Sequence, residues 1–448
     1  MIKSDINQDD IKQSDINQDI VKASDKQAEI KQRLCKLPLW ATIVSYIVGF
    51  LWVTCFVGRY DWMPEHGMIT MFTGIFFLWA ELSLKSIPRP NKECWFWMAC
   101  AIAIAIGIDI PRPVYDAEMG LSVPPMMEGW DYIALHCIAI YWILCRTGKL
   151  IDNKTGSMFI LDGITGTLMA PFSGIPNRIK RIIYGIKDQN NTSGNLRSIG
   201  ITILSIIFVI PVIALVIYLL GQADSTFGAL NHNIISSIKF DSETLARMIF
   251  GVFVSSYFFS IMSSCVVKKL PAFSGQKVRS TLESMRFLPA ASSTIIYGIF
   301  IAIYLLFFGV QGSSRISALW GEVPGTLTAS EFARSGFFEL CTVMAINFGL
   351  ILAGAIFSKV PMRESRTIRT MAQILLSESI LLAMTAASKL ILYIDRFGFT
   401  SLRLLSFWGI LALTFGCILS ILAIAKNKSY FDKWIWFTVA TFVPLCFF

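Results

Sequence analysis

Charge is scarce in this 448-residue sequence: Asp, Glu, Lys and Arg make up 15% of it, against roughly 25% in an ordinary soluble domain. Such scarcity argues against a water-solvated globular surface. Histidine occurs three times, at His66, His136 and His232, without metal-ligand spacing, so no metal is expected. The ten cysteines contain no Cys-x-x-Cys pair, and most fall in or beside apolar runs, where they read as buried free thiols. No Gly-x-x-x-x-Gly-Lys-Ser/Thr string is present, which excludes a P-loop motor in this chain. His-Glu-x-x-His and Gly-x-Ser-x-Gly are missing as well, and with them two common hydrolase layouts. Neither a catalytic residue nor a cofactor is expected.

What the sequence has instead is apolar residues, at 54%, with 34 Phe and 12 Trp and a mean hydropathy of +0.61. One bilayer-spanning helix uses about 20 consecutive, mostly apolar residues, so the stock suffices for about ten to twelve spans. Run lengths place eleven of them, at 38–57, 66–85, 94–110, 127–146, 198–220, 244–265, 287–310, 335–357, 371–393, 403–425 and 432–448. The expected fold is all-α, a polytopic transmembrane helix bundle occupying residues 37–448 as a single domain. Residues 1–36 are polar, with Ser-Asp-Ile-Asn-Gln-Asp at Ser4–Asp9 and again at Ser14–Asp19. This ten-residue repeat has too little apolar surface to offset its ordering entropy and reads as a disordered or transiently helical tail. It lacks a signal-peptide layout, so the first span is expected to stay attached as an anchor.

Loop charge sets the expected orientation, because Lys and Arg concentrate on the cytoplasmic side. With the N-terminus inside and the C-terminus outside, 30 of the 39 basic residues fall inside. The net charge of +9 is therefore topogenic. Nucleic acid is not an expected partner, since a nucleic-acid binder clusters its basic residues on one solvated face. The expected surroundings are the lipid bilayer of a cell membrane. Within the cytoplasmic connection 147–197, Ile175, Ile179, Ile182, Ile183 and Ile186 follow helical spacing, with Arg178, Lys180, Arg181 and Lys187 on the other face. One reading is an interfacial amphipathic helix on anionic lipid headgroups; the other is a positive loop that only orients the chain. The cytoplasmic loops also offer a surface to a protein partner.

An ionisable side chain within a span costs several kcal/mol unless paired or wet, which makes it a candidate site. On the outer side lie Asp109, Glu128, Asp131, His136 and Arg247, with Glu339 opening the eighth span and Arg403 the tenth. In the ninth span, Glu378, Thr385, Lys389 and Arg396 share one stripe at 100° per residue. Glu378 and Lys389 are about 16 Å apart along the axis and cannot pair directly. The stripe reads either as a polar path with Glu378 deep and Lys389 above it, or as a structural network that fixes helix packing.

One string precedes the eighth span and another follows the ninth. The first is Glu331-Phe-Ala-Arg334-Ser-Gly336-Phe-Phe-Glu339-Leu, and the second Tyr393-Ile-Asp-Arg396-Phe-Gly398-Phe-Thr400-Ser-Leu-Arg403-Leu. Acidic residues near arginines fit an outward-facing anion or zwitterion site, and they fit an interhelical clamp equally. In their order and spacing the two strings resemble the signatures of an uncharacterised bacterial polytopic membrane family, the domain-of-unknown-function 4173/4153 type, over roughly the last 250 residues. The resemblance rests on Glu331, Arg334, Gly336, Glu339, Tyr393, Gly398, Thr400 and Arg403. It implies a multi-pass bacterial membrane protein and no particular activity.

Three functions fit these observations. The first is a transporter-like protein with an outward-facing polar cavity for a small solute or ion, lined by Glu339, Glu378, Thr385, Lys389 and Arg403. The second is an envelope sensor working with a cytoplasmic partner, and the third an embedded enzyme acting on a lipid or envelope precursor. Lack of any enzyme string favours the first two.

Overall fold

The computed structural model describes residues 21, 24–58, 66–89, 91–110, 129–187, 242–267, 275–319, 337–362, 364–398 and 400–447; for residues 186–187, 242, 245, 311–319, 337–338, 396–397 and 401 only the backbone is described. Every regular element among them is helical, with one isolated bridge between Leu288 and Ser358. In chain order the helices are α1 (Leu39–Phe56), α2 (Met68–Ser83), α3 (Glu93–Asp109), α4 (Trp130–Thr147), α5 (Phe159–Ile164), α6 (Ala170–Lys187), α7 (Ser242–Val267), α8 (Gly275–Ser284), α9 (Ala290–Leu319), α10 (Phe337–Phe357), α11 (Arg366–Phe397), α12 (Ser401–Lys426) and α13 (Phe431–Leu445). Residues 24–34, in the tail, are also helical, while the ten-residue repeat lies outside the described residues.

Ten of these helices coincide with ten of the eleven expected spans; the run 198–220 lies outside the described residues. Among the described residues six helices are long and apolar enough to cross a membrane: Leu39–Phe56, Ala246–Val267, Ala290–Val310, Glu339–Phe357, Arg366–Asp395 and Leu402–Lys426. Helices α2, α3 and α13, with 16, 17 and 15 residues, rise only about 23–26 Å at 1.5 Å per residue, short of a hydrocarbon core of about 30 Å. The chain is a multi-pass membrane protein.

The contacts divide it into two compact units, one of Met1–Met98, Ala139–Lys149 and Asp162–Ala272, the other of Ala99–Ile138, Leu150–Leu161 and Phe273–Phe448. In lipid the hydrophobic effect does not drive helices together, so close backbone approach and hydrogen bonds must. The first unit shows both. Helix α7 packs against α1 and α6, and a Cβ on Gly49 would come within 2.4 Å of the Gly251 carbonyl. The Trp79 indole donates to the Ala41 carbonyl at 3.0 Å, tying α2 to α1. At the end of α4, the buried Arg146 donates from Nε to both oxygens of Glu81 at 3.1 and 3.2 Å, from Nη1 to the Ile87 carbonyl and from Nη2 to the Leu84 carbonyl. It thereby closes the C-terminal end of α2, where orphan carbonyls need donors.

A π-helical turn, Thr165–Met169, joins α5 to α6. On this continuous helix Ile160, Ile164, Leu168, Phe172, Ile175, Ile179 and Ile183 form an exposed apolar stripe. Arg178 and Arg181, expected on a headgroup-facing surface, are buried instead. Arg181 donates to the Leu37 carbonyl at 2.8 Å. A buried guanidinium needs several acceptors, and the facing helices α1 and α7 supply them; Lys180, on the same helix, stays exposed.

In the second unit α11 is central, packed against α9, α10 and α12, while α12 also packs on α13. Its core runs from Ile368, Ala372 and Leu375 beside Tyr297 and Tyr304 to Leu382, Ala383, Ala386 and Leu390 beside Leu340, Met344 and Ile410. The N-cap Ser365 accepts from the Ile368 amide at 3.3 Å, which satisfies one orphan donor at the start of this helix.

Candidate functional site

Glu378 lies near the middle of the apolar stretch Arg366–Asp395 of α11. Its side chain is 5% exposed, and neither carboxyl oxygen has a hydrogen-bond partner among the described residues. Beside it, three helices are joined by a chain of hydrogen bonds. The Tyr304 hydroxyl of α9 donates to Asn347 Oδ1 of α10 at 2.7 Å, Asn347 Nδ2 donates to Ser379 Oγ of α11 at 2.8 Å, and Ser379 Oγ donates to the Leu375 carbonyl at 2.9 Å. Asn347 and Ser379 are fully buried. Glu378 lies near enough to Tyr304 to interact with it electrostatically. The result is a satisfied neutral relay next to an unsatisfied acid. A carboxyl so placed binds a proton, a cation or a hydrogen-bonding solute group, because leaving it bare and ionised in low dielectric is costly.

The stripe from Glu378 runs along the margin of the packed face of α11. Thr385 and Lys389 are half-buried there, and the Thr385 hydroxyl donates to the Leu381 carbonyl at 3.0 Å. The Arg396 side chain lies outside the described residues. Farther on, the second string folds into a clasp. Gly398 ends α11 at φ +77°, a left-handed conformation that glycine adopts without strain. Thr400 caps α12 by accepting from the Arg403 amide at 3.4 Å. The Arg403 guanidinium donates to the Gly398 carbonyl and stacks 4.1 Å over the Tyr393 ring. Tyr393 is fifteen residues beyond Glu378, about 22 Å along the axis. Arg403, in the first turn of α12, thus stands beside the C-terminal end of α11, while Glu378 sits at the middle of α11.

Glu339 is exposed in the first turn of α10. Glu331, Arg334 and Gly336 of the first string lie outside the described residues, as does Glu128. Asp109 ends α3 and is half-buried, as is His136 on α4. Asp131 is buried in the first turn of α4, where its Oδ1 accepts from the Tyr132 amide at 2.9 Å. Arg247, on α7, pairs with Glu243 one turn earlier.

Sequence reasoning missed Tyr304, Asn347 and Ser379. Asn347 was detectable as the lone amide in the apolar run Phe337–Phe357; Tyr304 and Ser379 carry no such mark, since both suit a span. It also missed a nest in the first unit. There Arg178 donates to Ser255, Ser256 and Ser45 at 3.1, 2.6 and 2.7 Å and stacks 3.8 Å over the Tyr46 ring. Burial pushes its pKa down to about 10, with Tyr46 opposing the shift, so it remains a cation at neutral pH and anchors α6 to α1 and α7.

No curated protein and no solved structure matches the chain. Residues 98–448, more than three quarters of the sequence and including both strings, Tyr304, Asn347 and Glu378, match the family described as "Domain of unknown function (DUF4153)", and the chain belongs to that family.

Proposed function

We propose that the chain is a transporter-like protein of a bacterial cell membrane, with the N-terminus in the cytoplasm, about eleven spans and the C-terminus outside. A small solute or ion enters from the outer side along a path that passes Glu339 and Arg403 at the helix ends, then Lys389 and Thr385, and reaches Glu378. The observation that carries this reading is Glu378 itself, an acid buried at mid-span with no partner for either oxygen among the described residues. A purely structural carboxylate at that depth would be expected to hold a donor or a cation. On the cytoplasmic side, exposed basic residues such as Lys180 meet anionic lipid headgroups.

Purified protein in liposomes, assayed by uptake and counterflow over a panel of ions and small metabolites, tests the reading. Glu378→Gln is expected to reduce the flux at least tenfold and Lys389→Met to weaken it, with both variants still folded. Flux unchanged in both refutes the path; a protein that moves nothing but crosslinks to a cytoplasmic partner supports the sensor alternative.

A further inference from the structure

We propose that the ion handled at this site is the proton, and that Glu378 carries one while the site is closed, as it is in this structure. The proposal rests on the transport reading and names its coupling ion.

Geometry separates a proton from an alkali ion. A sodium-sized cation needs several oxygen ligands converging on it, as hard cations do. The oxygens available here are already committed to one another: Asn347 Oδ1 accepts from Tyr304, and Ser379 Oγ accepts from Asn347 and donates to Leu375. Beside them the Glu378 carboxyl is left without a hydrogen-bond partner among the described residues, and it is buried. A proton needs no cage, and binding one removes the charge whose burial is expensive. One proton binds one carboxylate oxygen as an O–H bond, and on opening the same proton passes to water on the side the site faces.

The charged and titratable groups around Glu378 leave that equilibrium to the carboxyl itself. From α9 the group in electrostatic range is the Tyr304 phenol, with Tyr297 two turns earlier. Helix α10 carries Glu339, exposed at its start, and Cys341. Helix α12 has Arg403 and Lys426 at its two ends and Cys417 between them. On α11 itself, Lys389 is three turns away and Arg366 and Arg369 stand in the first turn. Among the described residues none forms an ion pair with Glu378. The neighbouring relay supplies a reason for closure to be coupled: Asn347 and Ser379 hold α10 to α11 beside the acid, and an ionised Glu378 would compete for their donors.

Infrared difference spectroscopy of the full-length protein in liposomes at neutral pH tests this. The wild type is expected to show the carbonyl band of a protonated carboxylic acid, shifted on transfer to heavy water, and Glu378→Gln is expected to lose it while Glu339→Gln retains it. Tyr304→Phe, which keeps the packing, should retain the band and alter its position. Absence of the band in the wild type, its survival in Glu378→Gln, or its removal by sodium or lithium in place of potassium would each overturn the proposal. The two readings fail separately: a band without any solute flux leaves the proton site and removes the transport reading. Flux that is indifferent to an imposed pH gradient, with no band, does the reverse.

Discussion

Replacing Arg146 with methionine tests how this protein holds a helix end in a membrane. The guanidinium is 3% exposed, and Glu81, its partner, 20%. The substitution keeps the apolar stem and removes two bonds to the Glu81 carboxylate and one each to the Leu84 and Ile87 carbonyls. The Ile87 carbonyl that loses its arginine donor costs about 1 kcal/mol, and the Leu84 carbonyl, which keeps the Ile87 amide as a donor, costs less. Breaking a fully buried ion pair costs about 3–5 kcal/mol, but Glu81 is partly wet and keeps Arg89 at 2.6 Å, so the ion-pair share is well below that range. The total expected loss is about 3 kcal/mol. Arg89→Met, at a pair whose arginine is 38% exposed, should cost about 0–1 kcal/mol. Equilibrium unfolding in detergent, run as a double-mutant cycle with Glu81→Gln, reads the coupling directly. A coupling below about 0.5 kcal/mol, or an Arg146→Met loss no greater than that of Arg89→Met, would refute the reasoning.

Three further outcomes follow from particular contacts. Gly398→Ala places a side chain at φ +77° and should cost at least about 1 kcal/mol, measured as a lower unfolding midpoint. At Gly174 a Cβ would lie 2.1 Å from the Ser260 carbonyl, whereas at Gly298 nothing stands within 4 Å; Gly174→Ala should therefore lose about 1–3 kcal/mol by overpacking α6 against α7, and Gly298→Ala should stay within about 0.5 kcal/mol of the parent. Asn347→Leu strands the Tyr304 hydroxyl and should cost about 1–3 kcal/mol, a loss that Tyr304→Phe in the same chain partly restores in a double-mutant cycle.

The second string shows what spacing alone leaves open. Acid and arginine near a turn fitted an anion site or a clamp; the structure turns Arg403 onto the Gly398 carbonyl and the Tyr393 ring. Arg178 and Arg181 make the same point for α6. Helical periodicity sets Arg178 and Arg181 apart from the isoleucine stripe, but a hydrophobic stripe faces either a protein core or lipid, and the two put the polar face in opposite places. Ser45, Ser255 and Ser256, far from α6 in sequence, supply the acceptors that bring Arg178 inside.

What the sequence determined by itself was the membrane class, the placement of the helices and the depth of Glu378 along α11. These depend on apolar content over about 20 residues and on a fixed rise per residue, both local quantities. What only the tertiary structure decided was company: that Glu378 is left without a partner among the described residues, that Tyr304, Asn347 and Ser379 satisfy one another beside it, and that Arg403 is spent on a turn 22 Å away at the axial rise of about 1.5 Å per residue. Company depends on how each helix is rotated about its axis and which distant helix it meets. In a bilayer small residues and hydrogen bonds between helices settle both, and no window of sequence contains them.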